Sequence, residues 1–288
     1  MEGITAHKER FYIRAGFKDR LFMHFKSMKQ ITSSDNRICR IIRQLDSRKH
    51  REKLGLYLIE GENLTEEAFK NSADIEFIAV NEDRLSYYEN LFGGRLSECY
   101  VIPAGLFNRL AQTESSQGIM AAVRIPQLTQ QQFMEHIAGG NVIVLDRLQD
   151  PGNIGTILRT CDAAGYRGAV MIKGTADIYS PKVVRAAAGS VFRIPAYYTA
   201  GARDGGKLLK DAGLQIIGTG FDTEDMYYDV DMRRNTAVVI GNEGNGISEE
   251  MAALCDRTVK IPMRGNIESL NAAVAAGILI YESIRQER

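Results

Sequence analysis

Residues 141–172, which read NVIVLDRLQDPGNIGTILRTCDAAGYRGAVMI, decide the fold of this chain. Two short apolar runs in this stretch, Val142–Leu145 and Ala169–Ile172, are separated by a segment with the length and pattern of one helix. Uninterrupted apolar runs that alternate with helices are typical of strands in a parallel sheet that is covered on both faces. The stretch therefore predicts a strand-helix-strand unit of an α/β domain.

The helix of this unit has a core face and an outer face. Asn153 is its predicted N-cap, and Gly165 is its predicted left-handed C-terminal residue. Arg159 lies about 140° around the helix from Ile154 at 100° per residue, so it points away from the core. The apolar residues that share the core face are Ile154, Ile157, Leu158 and Cys161. An arginine on the outer face is either a solvated side chain or part of a site.

Apolar runs downstream extend the same predicted sheet, and polar loops follow them. The runs are Gln215–Gly218, Ala237–Ile240 and Val259–Ile261. In such a sheet the functional loops lie at the carboxyl ends of the strands. The loop IGNEGNGIS, residues 240–248, has three glycines in the order GxxGxG, which suits either a tight turn or a ligand loop. The loop KIPMRGNIESLN, residues 260–271, leads into a predicted last helix, Leu270–Arg285, with Ser269 as its N-cap.

The segment upstream of these strands predicts a separate small α/β module. Its predicted elements are a helix over Arg37–Ser47 capped within residues 34–36, a strand over Leu56–Ile59, a helix over Leu64–Phe69 and a strand over Ile75–Val80. A basic loop, residues 48–51, follows the first helix. The predicted division of the chain is 1–29 as an N-terminal extension, 30–127 as the module, 128–140 as a glutamine-rich helix or linker, and 141–288 as the larger domain.

The charges are distributed unevenly along the 288 residues. Lys+Arg and Asp+Glu each number 36, but residues 1–60 hold 14 basic against 7 acidic side chains. An unstructured basic tail would explain this excess without any partner, and so would a folded module that binds a polyanion. The neutral total therefore does not exclude a nucleic-acid partner.

Missing motifs exclude several classes of function. The sequence has no Cys-x-x-Cys pair, HExxH or GxSxG motif, so we expect neither a metal site nor a common hydrolase. Residues 201–207 match GxxxxGK, but Leu208 replaces the Ser/Thr magnesium ligand, and residues 195–199 do not have the pattern of an apolar strand. The longest uncharged run near the C-terminus, Ala272–Tyr281, is too short to span a bilayer. Together with the spacing of the cysteines, this predicts a cytoplasmic protein.

The loops 146–155, 240–248 and 260–271 resemble, in order and spacing, the signature motifs of the SpoU (TrmH-type) RNA ribose 2′-O-methyltransferases of the SPOUT superfamily. The resemblance covers roughly residues 141–283. Residues 33–124 resemble the small substrate-binding domain of the same family. The resemblance implies an α/β trefoil-knot catalytic domain with a smaller N-terminal α/β, L30e-like, substrate-binding domain. It also implies a homodimer.

The resemblance further implies S-adenosylmethionine as the cofactor and assigns residues to roles. The cofactor residues that it implies are Thr219, Gly220, Gly241, Ile261, Met263 and Leu270. The catalytic residues that it implies are Asn153, Arg159, Glu243, Ser269 and Asn271. The pKa of a guanidinium lies above about 12, so Arg159 is a poor general base. We expect it instead to grip a phosphate of the RNA, with the other four residues holding the arginine and the ribose.

The RNA contacts are expected from basic residues in both parts of the chain. They are Arg40, Arg48 and Arg51 in the N-terminal module and Arg185 in the segment 180–189, whose basic residues either face RNA or cap a helix. Ribosomal RNA is favoured over transfer RNA as the substrate. The alternatives are a transfer RNA ribose methyltransferase and a non-catalytic RNA-binding or ribosome-assembly protein on the same fold. A nucleotide-dependent dehydrogenase would need an NAD fingerprint, which the sequence lacks.

Overall fold

A computed structural model describes residues 28–287 of the protein. The described residues form two sheets, one of five strands and one of six. Residues 1–27, which make up most of the predicted N-terminal extension, lie outside the described range.

The first sheet contains the strands β1 (Lys29–Gln30), β2 (Leu56–Glu60), β3 (Ile75–Asn81), β4 (Tyr100–Ile102) and β5 (Ile119–Arg124). Their order is β1-β4-β3-β5-β2, and β5 runs antiparallel to both of its neighbours. Lys29, which the sequence analysis placed in the extension, pairs with Tyr100 and so belongs to the sheet. The sequence analysis predicted only β2 and β3, because the other strands are short or contain small side chains.

In the described part of the chain, the α-helices that accompany this sheet are α1 (Arg37–Gln44), α2 (Arg48–Leu54), α3 (Glu62–Lys70), α4 (Leu85–Phe92) and α5 (Ala104–Leu110). Asn36 caps α1 by accepting a hydrogen bond from the backbone N–H of Ile38 at 2.9 Å. The predicted first helix is too long, because Ser47 has an extended backbone and a second helix begins at Arg48. The segment predicted as a basic loop is therefore helical. We refer to β1–β5 with α1–α5 as the N-terminal domain.

The second sheet contains β6 (Val142–Asp146), β7 (Gly168–Ile172), β8 (Ala196–Thr199), β9 (Gln215–Thr219), β10 (Thr236–Gly241) and β11 (Arg257–Val259). Its order is β11-β9-β10-β6-β7-β8, and all neighbouring strands are parallel, as predicted. The edge strand β8 was not predicted, because it is largely half-buried and contains two tyrosines. A strand does precede residues 201–207, but residues 202–211 are helical, so the GxxxxGK match is not a phosphate loop, and Leu208 also lacks the hydroxyl of a magnesium ligand.

Among residues 28–287, the α-helices beside the second sheet are α6 (Gln130–Ile137), α7 (Pro151–Ala163), α8 (Pro181–Ala187), α9 (Ala202–Asp211), α10 (Glu249–Ala252) and α11 (Ala272–Gln286). The apolar faces of α7, α8 and α11 pack on one face of the sheet, and those of α6 and α9 pack on the other. The glutamine-rich α6 takes part through Phe133 and Ile137, which are both fully buried. We refer to β6–β11 with α6–α11 as the C-terminal domain.

Two helix caps differ from the sequence-based expectation. The N-cap of α7 is Asp150, which accepts a hydrogen bond from the backbone N–H of Asn153 at 2.7 Å. Pro151 occupies the first helical position, where its fixed φ favours helix initiation, so Asn153 lies one turn inside. The N-cap of α11 is Asn271 rather than Ser269, and it accepts from the backbone N–H of Ala273 at 2.9 Å. Both asparagine side chains consequently stand at the start of a helix.

The two domains are packed directly against each other. Tyr57 of β2 lies with its ring centroid 4.8 Å from that of Tyr179, which precedes α8. Arg51 of α2 is 3% exposed and forms an ion pair with Asp177 at 2.7 Å. Arg51 also donates to the backbone oxygens of Leu45 and Asp46 at 2.7 and 2.8 Å. Because this guanidinium is buried and engaged, Arg51 connects the domains instead of contacting RNA as expected.

Candidate active site

A cavity of about 500 Å³ opens at the carboxyl ends of β9, β10 and β11. The six residues expected to bind the cofactor all line this cavity: Thr219, Gly220, Gly241, Ile261, Met263 and Leu270. Glu243 and Ser269 from the expected catalytic set also line it. The three loops that the sequence singled out therefore meet at one edge of the sheet, as the parallel topology requires.

Gly241 is needed for the shape of the cavity wall. A Cβ atom at this position would lie 2.1 Å from the backbone carbon of Gly246. The loop between them folds back tightly, since Asn242 and Gly246 exchange two backbone hydrogen bonds of 2.9 Å. Gly246 adopts a φ of +67°, in the left-handed region that favours glycine. The glycines in this loop thus serve a close backbone approach.

The cavity fits S-adenosylmethionine in size and chemistry. Its volume lies within the range of small-molecule sites, roughly 300–1,000 Å³. Apolar side chains, Ile240, Val259 and Ile261, provide a surface for an adenine ring. The carboxylates of Glu243 and Glu268 are also among the lining groups, and their negative charges suit a cofactor with a sulfonium and an ammonium group.

A chain of polar side chains lies beside the cavity and joins three elements. Asn153 of α7 donates from Nδ2 to Oε1 of Glu243 at 3.2 Å. Asn271, the N-cap of α11, donates from Nδ2 to Oδ1 of Asn153 at 2.9 Å. Asn153 is 8% exposed, so its amide is held in one orientation by partners on both sides. The structure thus brings together Asn153, Glu243 and Asn271.

Glu243 binds the start of α7 through its carboxylate. Oε1 accepts the backbone N–H of Asp150 at 2.9 Å, and Oε2 accepts that of Gln149 at 3.2 Å. Burial opposes ionisation of this carboxyl, but the backbone hydrogen bonds and the one from Asn153 outweigh it and hold the pKa of Glu243 below its usual value. The group is therefore an anion at neutral pH, and both of its oxygens act as acceptors.

Asp146, which was not among the site residues expected from the sequence, binds the loop of residues 240–248. It is fully buried at the end of β6, and its Oδ2 accepts the backbone N–H of Ser248 at 2.5 Å. Its other oxygen, Oδ1, lies 3.4 Å from Nε of Arg147. The backbone oxygen of Arg147 accepts Nδ2 of Asn242 at 3.0 Å. An acidic residue directly after an apolar strand was the only sequence signal for this role.

The structure does not bring Arg159 into the polar network. Arg159 is exposed and does not line the cavity, and its side chain has no hydrogen bond or ion pair with any residue in 28–287. Six residues of helix place it about 9 Å along the axis and about 120° around it from Asn153. Ser269 is exposed at the cavity and makes no hydrogen bond within the same range. The expected network that holds the arginine is therefore absent among the described residues of this chain.

Three of the four expected RNA-binding arginines are exposed. Arg40 projects from α1 and Arg185 from α8, and neither side chain has a polar partner in the part of the chain that the structure describes. Arg48 pairs with Glu52 at 2.8 Å on α2, with about half of its side chain exposed. Within the described range, no cluster of three or more His, Cys, Asp or Glu could hold a metal ion. No helix of that range is long and apolar enough to cross a membrane.

Comparison with known proteins connects this site to a family. Residues 140–281 match the SpoU rRNA Methylase family, and residues 36–121 match the MRM3-like substrate binding domain. The 23S rRNA (guanosine(2553)-2′-O)-methyltransferase RlmP of Bacillus subtilis is 35% identical over 255 residues, which are 88% of this chain and 98% of that protein. The 23S rRNA (uridine(2479)-2′-O)-methyltransferase of Streptomyces viridochromogenes is 32% identical over 90% of this chain and 92% of that protein.

Solved structures give the same relationship for the fold. The crystal structure of an AdoMet-bound rRNA methyltransferase from Sinorhizobium meliloti has a TM-score of 0.80 and 28% identity, and covers 90% of this chain and 98% of that one. The SpoU methyltransferase AviRb from Streptomyces viridochromogenes, in complex with AdoMet, has a TM-score of 0.76 and 29% identity, and covers 88% of this chain and 98% of that one. With a SPOUT-type α/β trefoil-knot domain, a substrate-binding domain and near full-length relatives, the chain belongs to the SpoU rRNA methylase family.

Proposed function

We propose that this protein transfers a methyl group from S-adenosylmethionine to a ribose 2′-hydroxyl in structured RNA, with ribosomal rather than transfer RNA as the substrate. The observation that carries the proposal is the cavity at the ends of β9 and β10, flanked by the Asn153–Asn271–Glu243 network. The printed activities of the relatives from B. subtilis and S. viridochromogenes, both 23S rRNA 2′-O-methyltransferases, support the choice of RNA.

Some residues of this chain bind the cofactor, and others position the ribose of the RNA. S-adenosylmethionine supplies an electrophilic methyl group on its sulfonium. The cavity binds this cofactor, while Asn153 and Asn271 offer fixed amide groups to a ribose at its mouth. Arg159 has a guanidinium without a partner among the described residues, which suits a bidentate grip on a phosphate. Such a grip aligns the hydroxyl and stabilises its developing negative charge.

The proposed working form is a homodimer in the cytoplasm. Helix α11 exposes an apolar stripe, in which Val274 and Tyr281 are each 51% exposed and Ile278 is half-buried between them. An apolar stripe on the surface of a helix favours contact with another protein surface, and a second copy is the simplest partner. All four cysteines are free thiols, as is usual in a reducing compartment.

The proposed role of Arg159 is tested by substitution. We expect Arg159→Ala to lower kcat for methylation of ribosomal RNA by at least about a hundredfold, because the target ribose loses its alignment. The affinity for S-adenosylmethionine should be unchanged, since Arg159 does not line the cavity. Transfer of a radioactive methyl group to ribosomal RNA from a strain that lacks the gene measures kcat, and calorimetry measures cofactor binding.

A matched control is Arg203→Ala, which removes another exposed helical arginine, on α9 across the second sheet. This variant should retain the wild-type rate. Near-normal activity of Arg159→Ala would overturn the proposed role of the arginine. Failure of the wild-type protein to bind S-adenosylmethionine would overturn the proposed methyl transfer.

A further inference from the structure

A second cavity lies between the two domains, away from the cofactor site. Its volume is about 530 Å³, and it is lined by residues of α3 and the end of β2 on one side and by Arg185, Ala188 and Arg193 on the other. Since neither domain alone encloses it, this interdomain cavity exists only when the domains are docked.

The carboxylates of the interdomain cavity are already engaged. Glu60 accepts the backbone N–H of Gln112 at 2.9 Å and the hydroxyl of Thr113 at 2.5 Å. Glu67 is bound by Arg193, which lowers the pKa of that carboxyl, and Glu66 pairs with Lys70 at 3.1 Å. These three carboxylates line the cavity, and each already has a partner in the protein, so they are not the groups that would first bind a ligand.

Three lining groups, in contrast, have unused hydrogen-bond donors. The side chain of Gln117 accepts the backbone N–H of Glu62 through Oε1 at 2.8 Å, which leaves its NH₂ group directed elsewhere and without a partner in residues 28–287. The amide of Asn63 and the guanidinium of Arg185 also have no side-chain partner within that range, and both side chains are exposed. The cavity thus offers two carboxamides and one cation to a ligand.

This donor set matches an unpaired RNA nucleotide. Asparagine and glutamine read base edges through paired hydrogen bonds, and unpaired bases of RNA loops are recognised by such contacts in protein pockets. The cavity lining carries three carboxylates, Glu60, Glu66 and Glu67, and two guanidiniums. Arg193 is already bound to Glu67 and Asp162, which leaves Arg185 as the lining cation for a phosphate. The neutral base therefore enters, while the phosphate remains outside, next to Arg185.

The position of the cavity relative to the candidate active site supports this assignment. Arg185 is next to Ala186, whose Cβ would lie 2.3 Å from a Cβ on Gly155 of α7. Helices α7 and α8 are thus in backbone contact just two residues from Asn153. Arg185, which lines the interdomain cavity, therefore lies on a helix that packs against the turn of α7 next to Asn153.

We propose that the interdomain cavity binds an unpaired base of the RNA substrate, other than the methylated nucleotide, through Asn63 and Gln117, with Arg185 on its phosphate. This inference rests on the proposed function for its choice of RNA. Under this proposal, the RNA sequence near the methylated nucleotide contributes to substrate specificity, and residues of both domains recognise it.

The test uses Asn63→Ala and Gln117→Glu. The second variant keeps an oxygen that accepts from Glu62 and replaces the NH₂ donor with a carboxylate oxygen, which also adds one negative charge. The probe is ribosomal RNA from a strain that lacks the gene. We expect each variant to raise both KM and the Kd for this RNA by about tenfold, the effect of losing a base contact, while kcat and the affinity for S-adenosylmethionine stay at wild-type values.

The controls are Gln130→Ala and Gln130→Glu, matched changes of an exposed glutamine on α6, across the second sheet from the cavity. Both should leave KM and Kd unchanged. Wild-type values of KM and Kd in Asn63→Ala and Gln117→Glu would overturn the proposed base contact. If the wild-type protein binds the RNA but does not methylate it, the proposed function fails, and the Kd values of the variants still decide on the cavity.

Discussion

At the scale of single residues, the clearest case is Glu243, whose chemistry is set by its hydrogen-bond donors. Both carboxylate oxygens accept backbone N–H groups at the start of α7, and one also accepts from Asn153. A negative charge at the N-terminus of a helix is favoured by the helix dipole. The same side chain therefore fixes the loop of residues 240–248, the first turn of α7 and the amide of Asn153.

This arrangement predicts that Glu243→Gln is damaging although it preserves shape. One of the two acceptor oxygens would become an NH₂ group that faces a backbone N–H donor, so the first turn of α7 would shift. We expect kcat to fall at least tenfold at pH 7, as measured by methyl transfer to ribosomal RNA. The control Glu249→Gln, at an exposed acid on α10, should leave kcat unchanged. Equal activity of Glu243→Gln and wild type would contradict the assigned role.

The lowered pKa of Glu243 also determines how the stabilising effect of its carboxylate changes with pH. A carboxyl whose folded pKa is depressed stabilises the folded state above its unfolded pKa of about 4.3, and loses that contribution as the pH falls through the folded pKa. The network should therefore remain intact throughout pH 5 to 7. Loss of activity within that window must come from other groups.

At the scale of elements, helix α11 faces the core on one side and solvent on the other. Ala276, Leu279 and Ile280 are buried in the core that α11 shares with α7 and α8. Val274 and Tyr281 project outward at positions separated by seven residues, and thus on one stripe. The small residues Ala273 and Ala276 lie in this shared core and allow α11 to pack closely on α7.

The stripe predicts a change of oligomeric state in Val274→Asp. A charge in the apolar stripe would have to be desolvated in the interface of the proposed homodimer, so we expect this dimer to dissociate to monomers. Sedimentation velocity measures the mass in solution. Leu91→Asp, at a residue of α4 that is 49% exposed, is the matched control and should remain dimeric. A dimer of unchanged stability in Val274→Asp would exclude this stripe as the interface.

At the scale of the whole molecule, polar side chains and aromatic rings hold the two domains together. Arg51 pairs with Asp177 across the boundary, and Arg193 binds both Glu67 of the N-terminal domain and Asp162 of α7. The ring of Tyr57 lies against that of Tyr179. This docking encloses the interdomain cavity and sets the distance between the N-terminal domain and the candidate active site.

Removal of Arg51 should therefore destabilise the protein. We expect Arg51→Ala to lower the free energy of unfolding by about 3–5 kcal/mol, because it leaves the carboxylate of Asp177 without its buried partner. Urea denaturation measures this loss. Arg48→Ala, at the exposed pair with Glu52, should cost at most about 1 kcal/mol. Unchanged stability of Arg51→Ala combined with weaker RNA binding would instead support the original expectation of an RNA contact.

The sequence predicted those features that depend on local pattern. The apolar runs around Val144, Val170 and Val238 identified three strands of the parallel sheet, and the glycines at 241, 244 and 246 located a loop at a strand end. It did not identify Asp146, because a single acid after a strand is uninformative, nor β8, because a half-buried edge strand lacks an apolar run. The predicted N-cap of α7 was wrong by three residues, because Asp and Asn are equally good N-cap residues and the sequence does not distinguish Asp150 from Asn153.

By itself the sequence determined the α/β class, the parallel order of strands and helices, and the family whose motifs the loops contain, because periodicity and spacing are properties of neighbouring residues. Only the tertiary structure decided which charges are available to a ligand. Arg48 and Arg51 are three positions apart and chemically alike, yet the first is exposed and the second is buried against Asp177, 126 residues away. Burial is set by partners that are distant in sequence, so no local pattern could separate the two arginines.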